Sequence, residues 1–440
     1  MGLYTSMLSR MASYFKHTKI CDHILTVFPG LGRRHISRCT SQANSRTQSH
    51  SSWTKIAQGE YIRPFAFPWR IKPTSTCSRP IFGLQLDRRT STTSTILPPD
   101  PVAPILAPYE PPKTGLLARL PQPLVPYAEL IRLDKPTGTY YLFFPCLFST
   151  LMAAPLATPM ASPLQVAWIT SLFFSGALIM RGAGCTVNDL WDRNLDPHVT
   201  RTRLRPIARR AISVQQGILF AGAQCLVGLA VLLQFPWQCF FYAVPSLLFV
   251  ATYPLAKRVT NYPQAVLGLT FSWGAVMGFP ALGVDLLAPE NTHMIAATGL
   301  LYGSCIAWTI LYDMIYAHMD IKDDVKAGIK SIALRHEANT KAVLSGLAVV
   351  QVGLLAAAGA TLGFGPVFYI GSCGSAVATL GTMIWKVNLK SVPNCWWWFR
   401  NGCWFTGGGI AVGLAGEYLA RSLGLHEEER GEKESMLLTM

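Results

Sequence analysis

The chain has 440 residues, of which 50% are hydrophobic and only 14% are charged, and its formal net charge is +15. Soluble domains carry about 25% charged residues. The apolar residues here fall in runs of about 20, which is the length that crosses a bilayer. These features exclude a soluble globular protein and predict an all-α polytopic membrane protein. The 11 cysteines are dispersed and form no CxxC pair, which argues against a disulfide framework.

The N-terminal arm is basic. Residues 1–100 contain 14 Lys and Arg but only four Asp and Glu, together with many Ser and Thr. This composition is typical of a mitochondrial transit peptide, with a disordered cytosolic tail as the alternative, and we expect no nucleic-acid partner. Prolines from Pro99 to Pro112 then predict an extended linker. We therefore expect a transit peptide and linker at 1–110, a membrane domain at 111–425 and an acidic tail at 426–440.

The membrane domain begins with a short amphipathic helix at the interface, predicted over 130–136 and ended by Pro136. Nine apolar runs follow, at about 137–155, 166–187, 213–233, 238–255, 264–284, 294–316, 342–362, 365–386 and 402–422. The loops after the second, fourth, sixth and eighth runs carry almost all of the loop charge. The loops after the first, third, fifth and seventh runs are nearly uncharged. The positive-inside rule then places the charged loops on one side, which is the matrix side of the inner mitochondrial membrane if the arm is a transit peptide.

The second run ends in an acidic segment at 188–196, which contains Asp189, Asp192 and Asp196. On a continuing helix, Asn188, Asp192 and Asp196 share one face. Carboxylates at the mouth of a membrane helix are costly unless they have partners. Mg²⁺ is commonly held by one or two carboxylates together with substrate phosphates. The segment therefore predicts a Mg²⁺ site, with solvated helix-end acids as the alternative.

The sixth run ends in a second acidic segment, at 312–324. On a continuing helix, Asp313, Asp320 and Asp324 share one face. Both acidic segments lie on the same predicted side of the membrane, so they can face a single site. The pair predicts a diphosphate clamped between two groups of Mg²⁺ ions.

Cations accompany these acids. Forked guanidinium groups suit phosphate oxygens, and the candidates are Arg201, Arg205, Lys257 and Arg258, with simple anchoring of the loops as the alternative. Arg181 lies inside the second run, seven residues before Asn188 and on the same helical face. A charge inside a membrane helix indicates a functional site. Arg181 can bind the carboxylate of an aromatic acid or a phosphate oxygen, and snorkelling to the interface is the alternative.

This combination predicts chemistry on an allylic diphosphate whose apolar body lies among the helices. Mg²⁺ and arginine stabilise the departing diphosphate, and an electron-rich partner attacks the allylic carbocation in a dry cavity. An anion or metal transporter is the alternative from another class. It would require midplane charges and inverted repeats, whereas the acids here lie at the interface. A purely structural membrane subunit would not need acids on shared faces.

In these residues the chain resembles the UbiA superfamily of intramembrane prenyltransferases. The superfamily motifs NDxxDxxxD and DxxxD stand here as Asn188, Asp189, Asp192, Asp196 and as Asp320, Asp324. The resemblance runs from Leu130 to about Arg421. It implies about nine transmembrane helices around a central cavity that opens sideways to the lipid bilayer.

Within the superfamily, the stretches 132–138, 182–189, 201–208 and 316–318 are most similar to the branch that prenylates 4-hydroxybenzoate in mitochondrial ubiquinone synthesis. This similarity implies Mg²⁺, an all-trans polyprenyl diphosphate donor and transfer to the ring carbon ortho to the hydroxyl. It implies that five catalytic aspartates hold the Mg²⁺ ions and, through them, the diphosphate: Asp189, Asp192, Asp196, Asp320 and Asp324. The candidate substrate-binding residues are Arg181, Asn188, Arg201, Arg205, Lys257, Arg258, Tyr312, Asp313 and Tyr316. Other proteins of ubiquinone synthesis are candidate partners.

The chain departs from the family pattern at two positions. Arg210 stands where the family commonly has glycine, and Met319 stands where it commonly has glutamine. Meroterpenoid-type transferases share the scaffold, use a shorter farnesyl donor and accept other phenolic acids, so they remain an alternative that the basic leader disfavours. Haem O synthase is a more distant relative.

Overall fold

The structure, a computed structural model, describes residues 109–198, 202–321 and 331–424. Side chains at 253–255 and 257–258 are not described. Within these ranges the chain is helical and contains no strand, which confirms the all-α prediction. The helices are α1 (Val125–Leu130), α2 (Thr137–Ala153), α3 (Pro163–Trp191), α4 (Val214–Leu232), α5 (Gln238–Val259), α6 (Pro263–Phe271), α7 (Gly274–Ala281), α8 (Thr292–Ala317), α9 (Thr340–Thr361), α10 (Pro366–Lys386, with a π-helical turn at Tyr369–Cys373), α11 (Val392–Gly402) and α12 (Gly409–Ser422).

Local sequence signals explain several helix starts. Ser162 caps α3, where its hydroxyl accepts a hydrogen bond from the backbone N–H of Gln165 at 3.3 Å. Ser213 and Gln216 form a reciprocal capping box at the start of α4. Such caps satisfy N–H groups that the first helical turn leaves without a backbone partner.

Six helices in the described ranges are long and apolar enough to cross a membrane, judged by length and composition. They are Thr137–Leu156, Pro163–Trp191, Val214–Leu232, Pro289–Ala317, Glu337–Thr361 and Pro366–Lys386. A shorter apolar helix covers Gln238–Thr252. The fifth predicted run is divided between α6 and α7, and the ninth begins in a π-helical turn at Cys403–Gly408. Six of the nine predicted spans therefore meet this criterion, and the count of nine stays a prediction.

The division of the fifth run has a packing explanation. Gly274 and Gly278, in α7, lie directly against the backbone of α2 at Cys146 and Ser149. The indole Nε1 of Trp273, at the break, donates to the carbonyl oxygen of Tyr242 at 2.7 Å. Contacts with α2 and α5 therefore set the direction of the second half of this segment.

Helix α2 is central, and it places both acidic segments at one end of the bundle. Gly138, in its first turn, lies against the guanidinium of Arg181 in α3. Tyr141, one turn later, stacks on Tyr312 of α8 with 3.5 Å between ring centroids. Because α2 begins where α3 and α8 approach their ends, the two acidic segments that follow those helices lie at the same end.

The opposite end of the bundle is tied by a buried carboxylate. Glu417 in α12 is fully buried, and its carboxylate accepts hydrogen bonds from the backbone N–H groups of Gly365 at 2.8 Å and Phe368 at 3.3 Å. Arg421 donates from Nε to the same carboxylate at 3.0 Å. A negative charge at the start of α10 is favourable because the first N–H groups of a helix point at it.

Candidate active site

The first acidic segment contains two buried carboxylates. Asp189 lies in the last turn of α3 and is 1% exposed, and Asp196 lies in a 3₁₀ turn beyond the helix and is 5% exposed. Asp192, at the C-cap of α3, is only half-buried. The prediction that Asn188, Asp192 and Asp196 share one helical face is wrong, because α3 ends at Trp191. The chain then turns, with the N–H of Asp196 donating to the carbonyl of Asp192 at 2.9 Å.

Two arginines hold these carboxylates. Nη2 of Arg132 donates to Oδ1 of Asp189 at 2.8 Å. Nη1 of Arg205 lies 3.2 Å from that same Oδ1, and it donates to Oδ2 and Oδ1 of Asp196 at 3.0 and 3.2 Å. Arg205 therefore bridges the two buried carboxylates. This pairing is what makes their burial tolerable, since an unpaired buried charge is strongly unfavourable.

One oxygen of this cluster is left without a bond. Oδ2 of Asp189 is buried and has no hydrogen-bond partner among the described residues. Carboxylate oxygens are ligands that Mg²⁺ prefers. The donor set around Asp189 and Asp196 therefore fits a hard divalent cation. Within the described ranges, no three His, Cys, Asp or Glu side chains converge closely enough to hold an ion by themselves.

Arg132 is a site residue that the sequence pattern does not indicate. The pattern predicts an interfacial helix over 130–136, but α1 ends at Leu130, and Arg132 has φ +58° in the left-handed region. This conformation turns the chain before α2 and directs the guanidinium to Asp189, 57 residues away. The available signal was a cation just before the first membrane run, on the same predicted side as the acids.

Arg181 lies half-buried within α3. Its guanidinium packs across Gly138, and Nη1 lies 3.3 Å from Sγ of Cys185. No carboxylate in the described part of the chain pairs with it. A cation inside an apolar helix without an acid partner suits an anionic ligand. Asn188, two turns later on the same helix, is also half-buried.

The second acidic segment begins in the last turns of α8. Asp313 and Tyr316 are half-buried there, and Tyr316 packs on Phe399 of α11 with ring centroids 4.8 Å apart. Asp320 lies in the turn after α8, where its N–H donates to the carbonyl of Ala317 at 3.1 Å. The prediction of one continuous helical face is wrong here too, because α8 ends at Ala317.

Tyr312 belongs to the aromatic core. It is 3% exposed, it stacks on Tyr141, and it meets Trp308 edge-on at 5.7 Å. Its hydroxyl donates to Thr309 at 3.3 Å. The ring therefore supports α8 against α2, and its contact with substrate stays a prediction.

His318 is a structural residue in this arrangement. Its Nδ1 lies 2.8 Å from the carbonyl oxygen of Met314, and its Nε2 lies 3.1 Å from the hydroxyl of Thr340 at the start of α9. Burial lowers the pKa of His318 and favours the neutral ring. Both nitrogens are engaged, so the ring joins α8 to α9.

Several predicted residues lie outside the described part of the chain. These are Arg201 and Asp324, together with the side chains of Lys257 and Arg258. The transit peptide and linker fall outside it except for residues 109 and 110, and so does the acidic tail. The predictions for them stand as predictions.

Comparison with known proteins identifies the family. Residues 142–406 match the profile of the UbiA prenyltransferase family. The chain is 46% identical over 296 residues to the mitochondrial 4-hydroxybenzoate polyprenyltransferase of Schizosaccharomyces pombe, covering 67% of this chain and 80% of that protein. It is 45% identical over 314 residues to the mitochondrial 4-hydroxybenzoate polyprenyltransferase of Saccharomyces cerevisiae, covering 70% and 80%.

A solved structure shares the fold. The apo structure of a UbiA homologue from Aeropyrum pernix superposes with a TM-score of 0.51 at 21% identity, covering 62% of this chain and 97% of that one. The resemblance drawn from the acidic motifs is therefore confirmed. The chain belongs to the UbiA prenyltransferase family.

Proposed function

We propose that this chain transfers an all-trans polyprenyl group from polyprenyl diphosphate to the ring carbon ortho to the hydroxyl of 4-hydroxybenzoate, a step of ubiquinone synthesis. The observation that supports the proposal best is that the first acidic segment and the described part of the second, up to residue 321, begin at the same end of the bundle, beside the start of α2. The relatives at about 45% identity bear the name of this activity.

The diphosphate end of the site is assigned to the acids and arginines. Mg²⁺, when bound, supplies positive charge that stabilises the leaving diphosphate. The residues proposed to hold it are Asp189, Asp192, Asp196, Asp320 and Asp324. Arg132 and Arg205 already lie at the two buried carboxylates, so they are placed to donate to diphosphate oxygens as negative charge develops there. Arg201, Lys257 and Arg258 are proposed to add to this positive lining.

The acceptor end is assigned to Arg181. Eight residues of α3 separate it from Asp189, which corresponds to about 12 Å along the helix axis. Its guanidinium, without a carboxylate partner in the described ranges, suits the carboxylate of 4-hydroxybenzoate. Asn188 lies between Arg181 and the acids, where it can orient the aromatic ring. The surrounding apolar helices exclude water from the allylic cation.

We further propose a location. The relatives are named as mitochondrial enzymes, and the basic arm has the composition of a transit peptide. The charged loops and both acidic segments lie on one predicted side. For a protein of the inner membrane, the positive-inside rule then supports an orientation with the acids facing the matrix.

A prenylation assay tests the function. The full chain is produced in membranes and supplied with Mg²⁺, labelled polyprenyl diphosphate and 4-hydroxybenzoate. We expect a prenylated product that requires Mg²⁺ and falls about 100-fold or more in Asp189→Asn, because a central carboxylate of the site is neutralised. Asp285→Asn is the matched control, since Asp285 lies in the exposed turn before α8.

Two other results would change the assignment. Turnover with farnesyl diphosphate and another phenolic acid, but none with 4-hydroxybenzoate, would move the chain to the meroterpenoid branch. No turnover with any allylic donor, in membranes that contain folded protein, would refute the proposed reaction.

A further inference from the structure

A second cluster of charges lies beside the candidate active site. The carboxylate of Glu129 in α1 accepts a hydrogen bond from the hydroxyl of Tyr109 at 2.8 Å and one from Nη2 of Arg209 at 2.6 Å. The guanidinium of Arg209 lies over the Tyr109 ring, 3.8 Å from its centroid. The Glu129 and Arg209 side chains are only 15% and 13% exposed. Two groups, from two segments outside α1, therefore converge on this one carboxylate.

The Tyr109 hydroxyl is the hydrogen-bond donor of this cluster. Burial, followed by the hydrogen bond to Glu129, raises the pKa of Tyr109. The phenol therefore stays protonated and remains the donor. The guanidinium of Arg209 is charged at any relevant pH, so its hydrogen bond to the Glu129 carboxylate is charge-assisted.

Glu129 is connected to both arginines that contact Asp189. Its backbone carbonyl accepts a hydrogen bond from Nη1 of Arg132 at 3.0 Å, and Nη2 of that guanidinium reaches Asp189. Its carboxylate holds Arg209, whose N–H donates to the carbonyl of Arg205 at 2.9 Å. Of the two arginines at Asp189, Arg132 is thus bonded directly to Glu129, and Arg205 is linked to it through Arg209.

A small core fixes the same segments. Leu130, next to Glu129, is fully buried against Ile207 and Ile212 of the loop that contains Arg205. This apolar contact holds α1 beside the loop but does not set the rotation of the loop. The ion pair between Glu129 and Arg209 supplies a directional restraint.

We propose that Glu129 is a positioning residue for the metal and diphosphate site. Its backbone carbonyl fixes Arg132, and its carboxylate fixes Arg209 and thereby the turn that contains Arg205. Both guanidinium groups of Arg132 and Arg205 then meet Oδ1 of Asp189, and Oδ2 stays open to a divalent cation. The proposal rests on the proposed function. Removal of the Glu129 charge leaves Arg209 as a nearly buried cation without its partner, which is strongly unfavourable. The turn then moves to solvate Arg209 and takes Arg205 with it.

The test measures metal binding as well as turnover. The full chain, purified in lipid nanodiscs, is titrated with Mn²⁺ in the presence of inorganic diphosphate, and bound Mn²⁺ is followed by electron paramagnetic resonance. We expect Glu129→Gln to weaken Mn²⁺ binding about tenfold, the range that supporting residues of metal sites show. The KM for the diphosphate donor should rise more than kcat falls. Glu110→Gln is the matched control, since Glu110 is exposed and pairs only with exposed Lys113 among the described residues.

Charge exchange separates positioning from general stability. Glu129→Arg alone should lose Mn²⁺ binding, and the double variant with Arg209→Glu should recover it to within about threefold, because the ion pair is restored. Tyr109→Phe removes one hydrogen bond and should give an intermediate effect of about two- to threefold. It serves as the second variant if Glu129→Gln does not fold.

Three outcomes would overturn the proposal. The first is a folded Glu129→Gln protein that binds Mn²⁺ as tightly as the wild type. The second is a failed rescue together with an unchanged Tyr109→Phe protein. The third, a folded wild type that retains no Mn²⁺ with diphosphate, would overturn the proposed function as well, and this result distinguishes the two failures.

Discussion

Removal of Arg205 tests the charge balance of the candidate site. Nη1 of Arg205 is the atom that links Asp189 and Asp196. Removal of one partner of a buried ion pair costs about 3–5 kcal/mol. Arg205 is 25% exposed and Arg132 still faces Asp189, so for Arg205→Met we expect a loss of about 2 kcal/mol. The thermal midpoint of the full chain without metal should fall by roughly 4 °C.

The change in stability of Arg205→Met on addition of Mg²⁺ is the more discriminating part of this prediction. Both oxygens of Asp196 accept hydrogen bonds from Arg205, so a cation that binds Asp196 competes with the guanidinium. Without that competitor, Mg²⁺ alone should stabilise Arg205→Met more than the wild type, since ligand stabilisation grows with affinity. Thermal midpoints with and without Mg²⁺ measure the difference. Arg193→Met is the control, because the Arg193 side chain is exposed and bonds to a backbone carbonyl.

The same pair of scans contains the refuting result. An equal rise of the thermal midpoint on addition of Mg²⁺ in the wild type and in Arg205→Met would show that Arg205 and the cation do not compete for Asp196. An unchanged midpoint without metal would show that Asp189 and Asp196 do not depend on Arg205 for their burial.

Three further predictions concern backbone and packing. Arg210→Gly should keep activity and leave the thermal midpoint unchanged or slightly raised, because Arg210 has φ +61° and glycine avoids a strain of about 1–2 kcal/mol there. Gly138→Ala should raise the KM for 4-hydroxybenzoate and leave the KM for the diphosphate donor nearly unchanged, because the added Cβ would collide with the Arg181 guanidinium. Gly299→Ala is the kinetic control, since a Cβ at Gly299 meets no other atom. Glu417→Gln should lower the thermal midpoint by an amount equivalent to about 2–4 kcal/mol while metal binding is kept, because a buried charge-assisted cap is lost at the other end of the bundle.

Helix positions could be predicted from the sequence because membrane helices have a simple composition rule. The predicted second run, 166–187, lies inside α3, and the true start at Pro163 is explained by the Ser162 cap. The order of the acidic segments also followed from the sequence, since each one closes an apolar run. The prediction that each helix continues through its acidic segment was wrong, because the helices end at Trp191 and Ala317.

Arg205 was among the cations predicted for the site, but the role of Arg132 as a partner of Asp189 could not be predicted, for a physical reason. The contact between Arg132 and Asp189 spans 57 residues and depends on a left-handed backbone at an arginine, which local preference disfavours. The local pattern favoured a short helix there. Tertiary ion pairing prevailed over that preference because Asp189 is almost completely buried and needs a cation.

The same ion pairs indicate how the site can accept a charged ligand without exposing an uncompensated charge. Oδ2 of Asp189 is open, whereas both oxygens of Asp196 are bonded to Arg205. A guanidinium suits phosphate oxygens as well as carboxylates, so Arg205 can exchange Asp196 for a diphosphate oxygen. Since that exchange releases Asp196 only when an anion is present, the second carboxylate becomes available together with the diphosphate rather than before it. Metal alone should therefore bind weakly to the wild type, and added inorganic diphosphate should strengthen Mn²⁺ binding more in the wild type than in Arg205→Met.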